Sequence, residues 1–478
     1  MKLIFEKSIP GQSAVSLPDS DIDKATGDKL LPGSLFKKKL DLPSLNETDL
    51  VRHYTKLSSR NFGVDQGFYP LGSCTMKYNP KVNEDMASLP GFTQIHPLSD
   101  DQDVQGALQL YYELEQYLKE ITGFAAVSLQ PAAGAHGEAT GVMIMKAYFD
   151  DKKEKRVKIL IPEAAHGTNP ASGALCGFEI VVIKSNAEGE LDLSDLKAKI
   201  DRQTVGLMLT NPNTLGLFES EIKKICQIVH RQGSLVYCDG ANMNSMLGIT
   251  RPADQGFDLI QLNLHKSFST PHGGGGPGSG PVGVNQKLVP YLPTPLVKKR
   301  GHQYYRDYNQ KKSIGKVKAF MGNFNVMVKA YTYIRALGPK GLKRAGQHSI
   351  LNANYLKTRL RRYFILPFNK TCMHECVFSD KKQQKYGVTT LDIAKRLLDY
   401  GYHAPTIYFP MIVHGAIMIE PTETESKRTL DEFIEVMIKI ALECKHKPEM
   451  VKNAPHKMPV TRVDEVTAAR NPNLKWVK

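Results

Sequence analysis

The sequence has 478 residues, of which 41% are hydrophobic and 23% charged, and its formal net charge at pH 7 is +15. This composition is typical of a globular chain with a large core, and it excludes collagen-like and low-complexity architectures because glycine and proline follow no repeat. No apolar run is long enough for a transmembrane helix, and Glu6 and Lys7 interrupt any signal peptide. Seven scattered cysteines predict a reducing cytoplasm rather than a disulfide framework.

The order of polar and apolar segments predicts four regions. Residues 1–60 are polar and rich in Pro, Asp and Ser, which predicts an extended arm with one short helix near 47–58, and this first region extends to residue 90. We expect a large domain at 91–335, a small C-terminal domain at 336–445 and a basic tail at 446–478.

The large region alternates helical patterns with short apolar runs. Helical spacing is seen at 103–121, 135–149 and 219–232, and apolar runs occur at 157–161, 180–183, 205–209, 235–238 and 259–262. Short Val/Ile/Leu runs separated by helices are typical of strands buried on both faces of a mostly parallel sheet. The fold class predicted from the residues is therefore α/β.

The C-terminal region repeats this alternation on a smaller scale. Two long helices are predicted at 320–337 and 341–362, followed by a strand at 374–378 and a helix at 389–400. A strand at 416–420 and a helix at 425–444 complete a small α/β domain.

Polar residues with catalytic potential follow the apolar runs, where α/β sheets gather their ligands. Asp239 ends one strand, and Lys266 follows the next. An acid there could hold a pyridine nitrogen protonated, and a desolvated amine could form an imine with an aldehyde, which together suit pyridoxal phosphate. A plain Asp–Lys ion pair is the alternative explanation.

Two further features suit the same cofactor. The segment from Gly134 to His136 opens a helix, where free backbone N–H groups can bind phosphate, although a ligand-free glycine-rich helix start is also common. His166 follows the strand at 157–161 and could stack on a pyridine ring or be structural. Four consecutive glycines begin at Gly273 and imply a close backbone approach to a ligand or a neighbouring subunit.

The positive charge and two cysteines allow several interpretations. Residues 287–318 carry nine Lys/Arg residues against Asp307 alone, which could be a solvated surface, a site for an acidic partner or one for nucleic acid. No zinc-finger, RNA-recognition or helix-turn-helix signature accompanies them.

Cys372 and Cys376 lack a second pair of metal ligands, so we expect ordinary cysteines and no metal.

Five segments closely resemble the glycine decarboxylase family, the P-protein of the glycine cleavage system. They are YPLGSCTMKYNP, LQPAAGAHGEATG, EAAHGTNPASGAL, YCDGANMNSMLGITRPAD and NLHKSFSTPHGGGGPGSGPVGV, which span residues 69–284. The surrounding sequence is similar too, and the length resembles subunit 2 of the bacterial two-subunit form. The resemblance departs at Ala133, where long single-chain relatives carry serine, so backbone N–H groups are expected on that side of the phosphate.

The resemblance implies a fold-type-I pyridoxal-phosphate enzyme with a seven-stranded large domain and a small C-terminal domain. Its activity would be decarboxylation of glycine and transfer of the aminomethyl group to the lipoyl arm of the H-protein, within an α2β2 heterotetramer with companion subunit 1. Lys266 would carry pyridoxal 5'-phosphate as an imine, Asp239 would pair with its ring nitrogen, His166 would lie against the ring, and Thr214 would reach its phenolic oxygen. The implied cofactor-binding residues are Lys266, Asp239, His166, Gly134, Ala135, His136, Thr214, His265 and Gly274, with Ser73, Cys74 and Thr75 as substrate candidates.

Other functions fit parts of the pattern. An aminotransferase would add an arginine for a second substrate carboxylate, and a cysteine desulfurase would add a mobile catalytic cysteine. A basic nucleic-acid-binding protein would lack the cofactor and its absorbance. The motif sequences favour glycine decarboxylase.

Overall fold

The computed structural model describes residues 2–19, 21, 32–35, 40, 42–273 and 278–475, and the chain divides into two compact units, 1–66 and 67–478. The first unit contains helix α1 (Glu47–Ser58). Asn46 caps this helix, because its side chain accepts the N–H of Asp49 at 2.8 Å. The helix predicted at 47–58 is confirmed, whereas parts of the predicted arm lie outside the described residues.

A seven-stranded sheet is the centre of the second unit. Its strands are β1 (Ala126–Ser128), β2 (Lys158–Pro162), β3 (Glu179–Ile183), β4 (Thr204–Thr210), β5 (Leu235–Gly240), β6 (Leu259–Leu262) and β7 (Val282–Val284). They lie in the order β1-β7-β6-β5-β4-β2-β3, and only β7 runs antiparallel to its neighbours. The predicted mostly parallel α/β sheet is confirmed.

Helices connect these strands and bury both faces of the sheet. They are α2 (Lys81–Ala87), α3 (Pro90–Thr93), α4 (Gln105–Thr122), α5 (Gly134–Asp151), α6 (Thr168–Leu175), α7 (Leu193–Lys199), α8 (Ile222–Arg231), α9 (Pro252–Gln255) and α10 (Leu264–Ser267). Successive strand residues point to opposite faces. Val236 accordingly packs in the core with α4 and α8, and Leu235 and Tyr237 pack in the core with α5. This two-sided burial explains the uninterrupted apolar runs of the sequence.

A long kinked helix leads from this sheet to a smaller one. After the hairpin β8 (Leu296–Arg300) and β9 (Gln303–Asp307), helix α11 (Phe324–Leu360) is broken at Gly338, whose φ of 60° is unfavourable for other residues. Pro339 follows the break, and the two predicted helices are the two arms of α11.

The smaller sheet has the order β10-β12-β11 and is antiparallel throughout. The remaining elements are β10 (Cys376–Ser379), α12 (Thr390–Asp399), β11 (Thr406–Ile407), β12 (Ala416–Ile419), α13 (Lys427–His446), α14 (Pro448–Lys452) and α15 (Glu465–Arg470). Its core includes Phe378, Ile417 and Phe433, which are fully buried. The domain boundaries at 90, 335 and 445 stay a prediction. Within the described ranges, no helix has both the length and the apolar character needed to cross a membrane.

Candidate active site

Lys266 lies just beyond the end of β6, in the single turn of α10. The residue is 8% exposed, and its backbone N–H donates to the carbonyl of Asn263 at 3.0 Å. Within the described residues, its Nζ has no hydrogen-bond or ion-pair partner. A buried ammonium group normally has an acidic or hydrogen-bonding partner. Because Lys266 Nζ has none, it is available to react with a ligand.

Asp239 lies at the carboxyl end of β5 and is 1% exposed. The registers of β4, β5 and β6 place Thr210 and Gln261 beside it. Its Oδ1 accepts from Gln261 Nε2 and from the N–H of Ala241, at 3.0 Å for the latter, and its Oδ2 accepts from Asn169 Nδ2 at 3.2 Å and from the Thr210 hydroxyl at 3.3 Å. These four donors stabilise a charged carboxylate without an Arg or Lys ion pair in the described structure.

His166 follows β2, as the sequence predicts, and lies at the exposed rim of the site. Its Nδ1 lies 2.9 Å from Thr168 Oγ1, and its ring packs edge-on against Phe409 with the centroids 5.7 Å apart. Burial, and then the charge of Lys266, lower the pKa of His166. The ring is therefore neutral at pH 7, which suits packing against a ligand ring. Its contact with a cofactor stays a prediction.

Glu138 is a buried acid of this site to which the sequence reasoning assigned no role. Its Oε1 accepts from the Thr168 hydroxyl at 2.9 Å, and its Oε2 accepts from Asn169 Nδ2 at 2.7 Å. Asn169 therefore bridges Glu138 and Asp239 with a single amide nitrogen. The signal in the sequence was an acid one helical turn after Gly134, on the side of α5 that packs on the sheet.

The N-terminus of α5 has the properties of a phosphate site. Gly134 begins the helix, and no side chain caps its first turn. A Cβ at Gly134 would lie 2.1 Å from Asn263 Nδ2, so only glycine fits against that neighbour. Ala135 is exposed, and His136 Nδ1 accepts the N–H of Ala132 at 3.1 Å. The N–H groups of this first turn are therefore available to an anion.

Three buried hydroxyl groups near this helix start and Lys266 have no hydrogen-bond partner among the described residues: those of Ser267, Thr270 and Ser279. Ser279 lies between two glycines that pack on the backbone of residues 132–133. A hydroxyl is therefore available close to Ala133. Unpaired buried hydroxyls can bind a ligand. Together with the uncapped helix and the free amine, they fit pyridoxal phosphate.

The remaining predicted cofactor residues occupy several positions. The ring of His265 packs edge-on against that of His272, with centroids 4.8 Å apart, and burial lowers the pKa of His265 to about 3. The Thr214 hydroxyl is buried and donates to the carbonyl of Ala164. Gly274 lies outside the described residues. The cofactor roles of these three residues stay predictions.

The loop that carries Ser73, Cys74 and Thr75 is held by two acids next to the three-stranded sheet, Glu375 before β10 and Glu420 after β12. The N–H of Ser73 donates to Glu375 Oε2 at 2.8 Å, and the N–H and hydroxyl of Thr75 donate to Glu420 at 2.9 and 2.7 Å. Ser73 and Thr75 have positive φ angles of 62° and 50°, which are unfavourable for these residues. The acids thus hold a strained loop, and its substrate role stays a prediction.

The same loop is part of a longer connection, which we call the 70–79 segment. Lys77 is 2% exposed, and its Nζ pairs with Glu423 at 2.7 Å and donates to the Ser267 carbonyl at 3.5 Å. Asn79 Nδ2 donates to the Ser269 carbonyl at 3.0 Å. The 70–79 segment therefore connects the small sheet region to the chain that follows Lys266.

His374 and Glu375 precede β10, which begins two residues later than predicted. His374 Nε2 lies 3.3 Å from Glu375 Oε1, and both residues are fully buried. Burial disfavours the imidazolium ion, but Glu375 and Glu420 outweigh it and raise the pKa of His374. Cys372 and Cys376, on either side, are buried free thiols of the small core.

Comparisons with known proteins establish the fold and the family. The family model for the glycine dehydrogenase C-terminal domain matches residues 345–458, and that for class-V aminotransferases matches residues 137–275. Among solved structures, an inhibitor-bound glycine decarboxylase (P-protein) superposes with a TM-score of 0.74 at 19% identity, covering 87% of this chain and 95% of that one. A cysteine desulfurase from Thermococcus onnurineus has a TM-score of 0.60 at 15% identity, covering 79% and 95%. These structures establish a fold-type-I architecture.

Full-length relatives identify the family. A probable glycine dehydrogenase (decarboxylating) subunit 2 from Caldanaerobacter subterraneus is 58% identical over 100% of this chain and 99% of its own length. The protein of the same name from Alkaliphilus oremlandii is 56% identical over 99% of this chain and 98% of its own length, and one from Listeria monocytogenes is 55% identical over 100% and 98%. The chain therefore belongs to the glycine dehydrogenase (decarboxylating) subunit 2 family.

Proposed function

We propose that this chain decarboxylates glycine with pyridoxal phosphate and transfers the aminomethyl group to the lipoyl arm of an H-protein. Its relatives are named for a glycine-decarboxylating activity. The observation that carries the proposal is the buried, unpartnered amine of Lys266, just beyond strand β6, which pairs with the strand that carries Asp239. A cofactor with an aldehyde and a basic ring nitrogen would bind to the Lys266 amine and to the Asp239 carboxylate, respectively.

Each part of the cofactor has candidate partners in this chain. Lys266 would bind the aldehyde covalently, and Asp239 would hold a proton on the ring nitrogen. The first turn of α5, with the hydroxyls of Ser267 and Ser279, would bind the phosphate. When bound, pyridoxal phosphate supplies a protonated ring that takes up the electron pair released as CO2 leaves glycine.

The chain's own residues control charge and protons around that chemistry. The four donors on Asp239 hold its carboxylate in place, and its burial keeps water from screening the charge. With glycine bound, Lys266 Nζ would be available to give or take a proton. The ring of His166, which lies at the exposed rim, would border the cofactor.

The overall reaction needs no nicotinamide. The bond between the two carbons of glycine breaks and CO2 leaves. The aminomethyl carbon bonds to one sulfur of the lipoyl disulfide, and the other sulfur becomes a thiol after taking a proton. The lipoyl disulfide is thus the oxidant, and the sequence correspondingly lacks a strand–GxGxxG–helix unit.

We infer that a companion subunit 1 completes the enzyme, because the relatives are named subunit 2. An α2β2 heterotetramer and a cytoplasmic location are parts of the same proposal. All seven cysteines are free, which supports a reducing compartment.

The activity is tested with the chain co-purified with its companion subunit. We expect glycine-dependent release of labelled CO2 that rises strongly when lipoylated H-protein is added, and an absorbance band of bound pyridoxal phosphate. Release of CO2 from other amino acids but not from glycine would contradict the proposed substrate. A missing cofactor band after addition of pyridoxal phosphate would contradict the proposed chemistry.

The basic stretch at 298–318 is a candidate surface for attracting an acidic, lipoylated H-protein. Lys298 pairs with Asp307 in the β8–β9 hairpin, whereas Lys299 and Arg300 lie over the rings of Tyr304 and Tyr305. The last two cations are exposed and form no ion pair in the described structure. They are therefore the best placed to act on an approaching partner.

Reversing the charge of both residues, as K299E/R300E, should raise the apparent KM for H-protein several-fold and flatten its salt dependence. Electrostatic steering weakens as the Debye length shrinks from about 10 Å at 0.1 M salt to about 3 Å at 1 M. Exchange of bicarbonate into glycine with free lipoate should change little, because it has no protein partner to steer. K381E/K385E, on exposed lysines of the small region, is the charge-matched control. Equal losses in both reactions would assign the stretch a structural role.

A further inference from the structure

Two buried acids lie side by side at the candidate cofactor site. Glu138 is 5% exposed and Asp239 is 1% exposed, and both accept from Nδ2 of Asn169, at 2.7 and 3.2 Å. Neither acid has an Arg or Lys ion pair among the described residues, and the neighbouring ionisable groups are Tyr237, Cys238, His166 and Lys266. Two carboxylates this close in a dry site do not both ionise at neutral pH, so one of them holds a proton.

Hydrogen bonding decides which of the two is protonated. Asp239 accepts from four donors, whereas Glu138 accepts from two, the Thr168 hydroxyl and the Asn169 amide. Burial, and then the charge of Asp239, raise the pKa of Glu138 above its usual value. The proton therefore belongs to Glu138.

A proton on Glu138 reverses the direction of the hydrogen bonds that lead to His166. The Thr168 hydroxyl has one proton to donate, and it lies 2.9 Å from both Glu138 Oε1 and His166 Nδ1. When Glu138 donates to Thr168 Oγ1, the Thr168 proton is available to His166 Nδ1. That nitrogen also accepts the N–H of Thr168 at 3.3 Å. His166 then carries its own proton on Nε2.

We propose that Glu138 is a positioning residue that holds a proton at neutral pH. Through Thr168 it keeps Nδ1 of His166 as an acceptor, and it leaves Asp239 as the one charged acid at the cofactor ring. The inference deepens the proposed function, because the roles of Asp239 and His166 toward the cofactor ring depend on that function. The direction of the hydrogen bonds does not depend on it and can be measured without cofactor.

The first test reads the His166 tautomer in the full chain without cofactor. Nitrogen NMR of the protein labelled in its 14 histidines, with His166→Gln to assign the signal, should show the Nε2–H form at pH 7. Glu138→Gln should keep this form, because its amide can donate to Thr168 as the protonated carboxyl does. Glu138→Leu should lose it. Thr168→Val breaks the same connection and serves where the leucine variant does not fold. An unchanged tautomer in Thr168→Val would overturn the proposal.

The second test uses the protein loaded with pyridoxal phosphate. Its absorbance should titrate differently in the wild type and in Glu138→Gln, because ionisation of Glu138 places a second negative charge beside Asp239 and the glutamine cannot ionise. An identical titration in Glu138→Gln would overturn the proposal. If no cofactor binds, the proposed function fails, and the tautomer of His166 still decides the role of Glu138.

Discussion

Replacing Lys266 by alanine should abolish both the absorbance of bound cofactor aldehyde and the glycine-dependent release of CO2. No other described amine is buried without a partner at the carboxyl edge of the large sheet. The loss of turnover should be at least about 10²–10⁴-fold, the range supplied by a single acid–base group. Absorbance after dialysis, and CO2 release with the companion subunit, measure the two effects.

Lys77 offers a matched comparison, since it is the other buried lysine near the site. Its ammonium group is paired with Glu423 at 2.7 Å, and this acid holds the pKa of Lys77 above its usual value despite burial. Borohydride treatment should therefore fix the cofactor to the peptide that contains Lys266 and leave the Lys77 peptide unmodified. A reduced cofactor on Lys77, or a band that persists in Lys266→Ala, would show that the lysine assignment is wrong.

Replacing Asp239 by asparagine should leave the cofactor bound but remove most of the turnover. The phosphate site and Lys266 are unchanged in this variant, whereas an amide cannot hold a proton on a ring nitrogen. The expected fall in kcat is about 10²–10³-fold, as for removal of one preorganised electrostatic group. Bound cofactor is measured by absorbance and turnover by CO2 release in the same preparation.

Asp258 provides the control for a buried charge that is remote from the ring. It precedes β6, at the opposite end of the strand from Lys266, and it contacts His230 at 2.8 Å and Lys287 at 2.7 Å. Asp258→Asn should lower the melting temperature with a much smaller effect on turnover per folded molecule. Wild-type turnover in Asp239→Asn, or equal losses in both variants, would contradict the role of Asp239.

The local pattern of the sequence predicted most of the regular structure. Strands β2 and β4–β6 were evident because both of their faces are covered, which leaves a continuous apolar run. The edge strand β3 has an equally apolar run although Val182 is 49% exposed. Lys266 and Asp239 were found because each follows such a run directly. Strands β1, β7 and β11 have only two or three residues, so their pairing comes from tertiary contacts that no local pattern records.

The parts of the site that sequence reasoning missed depend on contacts between distant residues. Glu138 stands in a motif that was recognised, but its role depends on Asn169, 31 residues later. Glu375 and Glu420 had no local signal, because their partners Ser73 and Thr75 lie 302 and 345 residues away. Two cations of the basic stretch are paired by acids that the local sequence does not show, since Arg306 and Lys312 pair with Asp101 and Asp151.

The 70–79 segment also determines when the site can be completed during synthesis. Thr75 leaves the ribosome early, but Glu420, which fixes it, is translated 345 residues later. A nascent chain that ends before Glu420 already contains Lys266, Asp239 and the whole large sheet, and large domains can fold while translation continues. Such a chain lacks the acid that holds Thr75 at its positive φ angle. The 70–79 segment therefore reaches its final conformation only after Glu420 has been made.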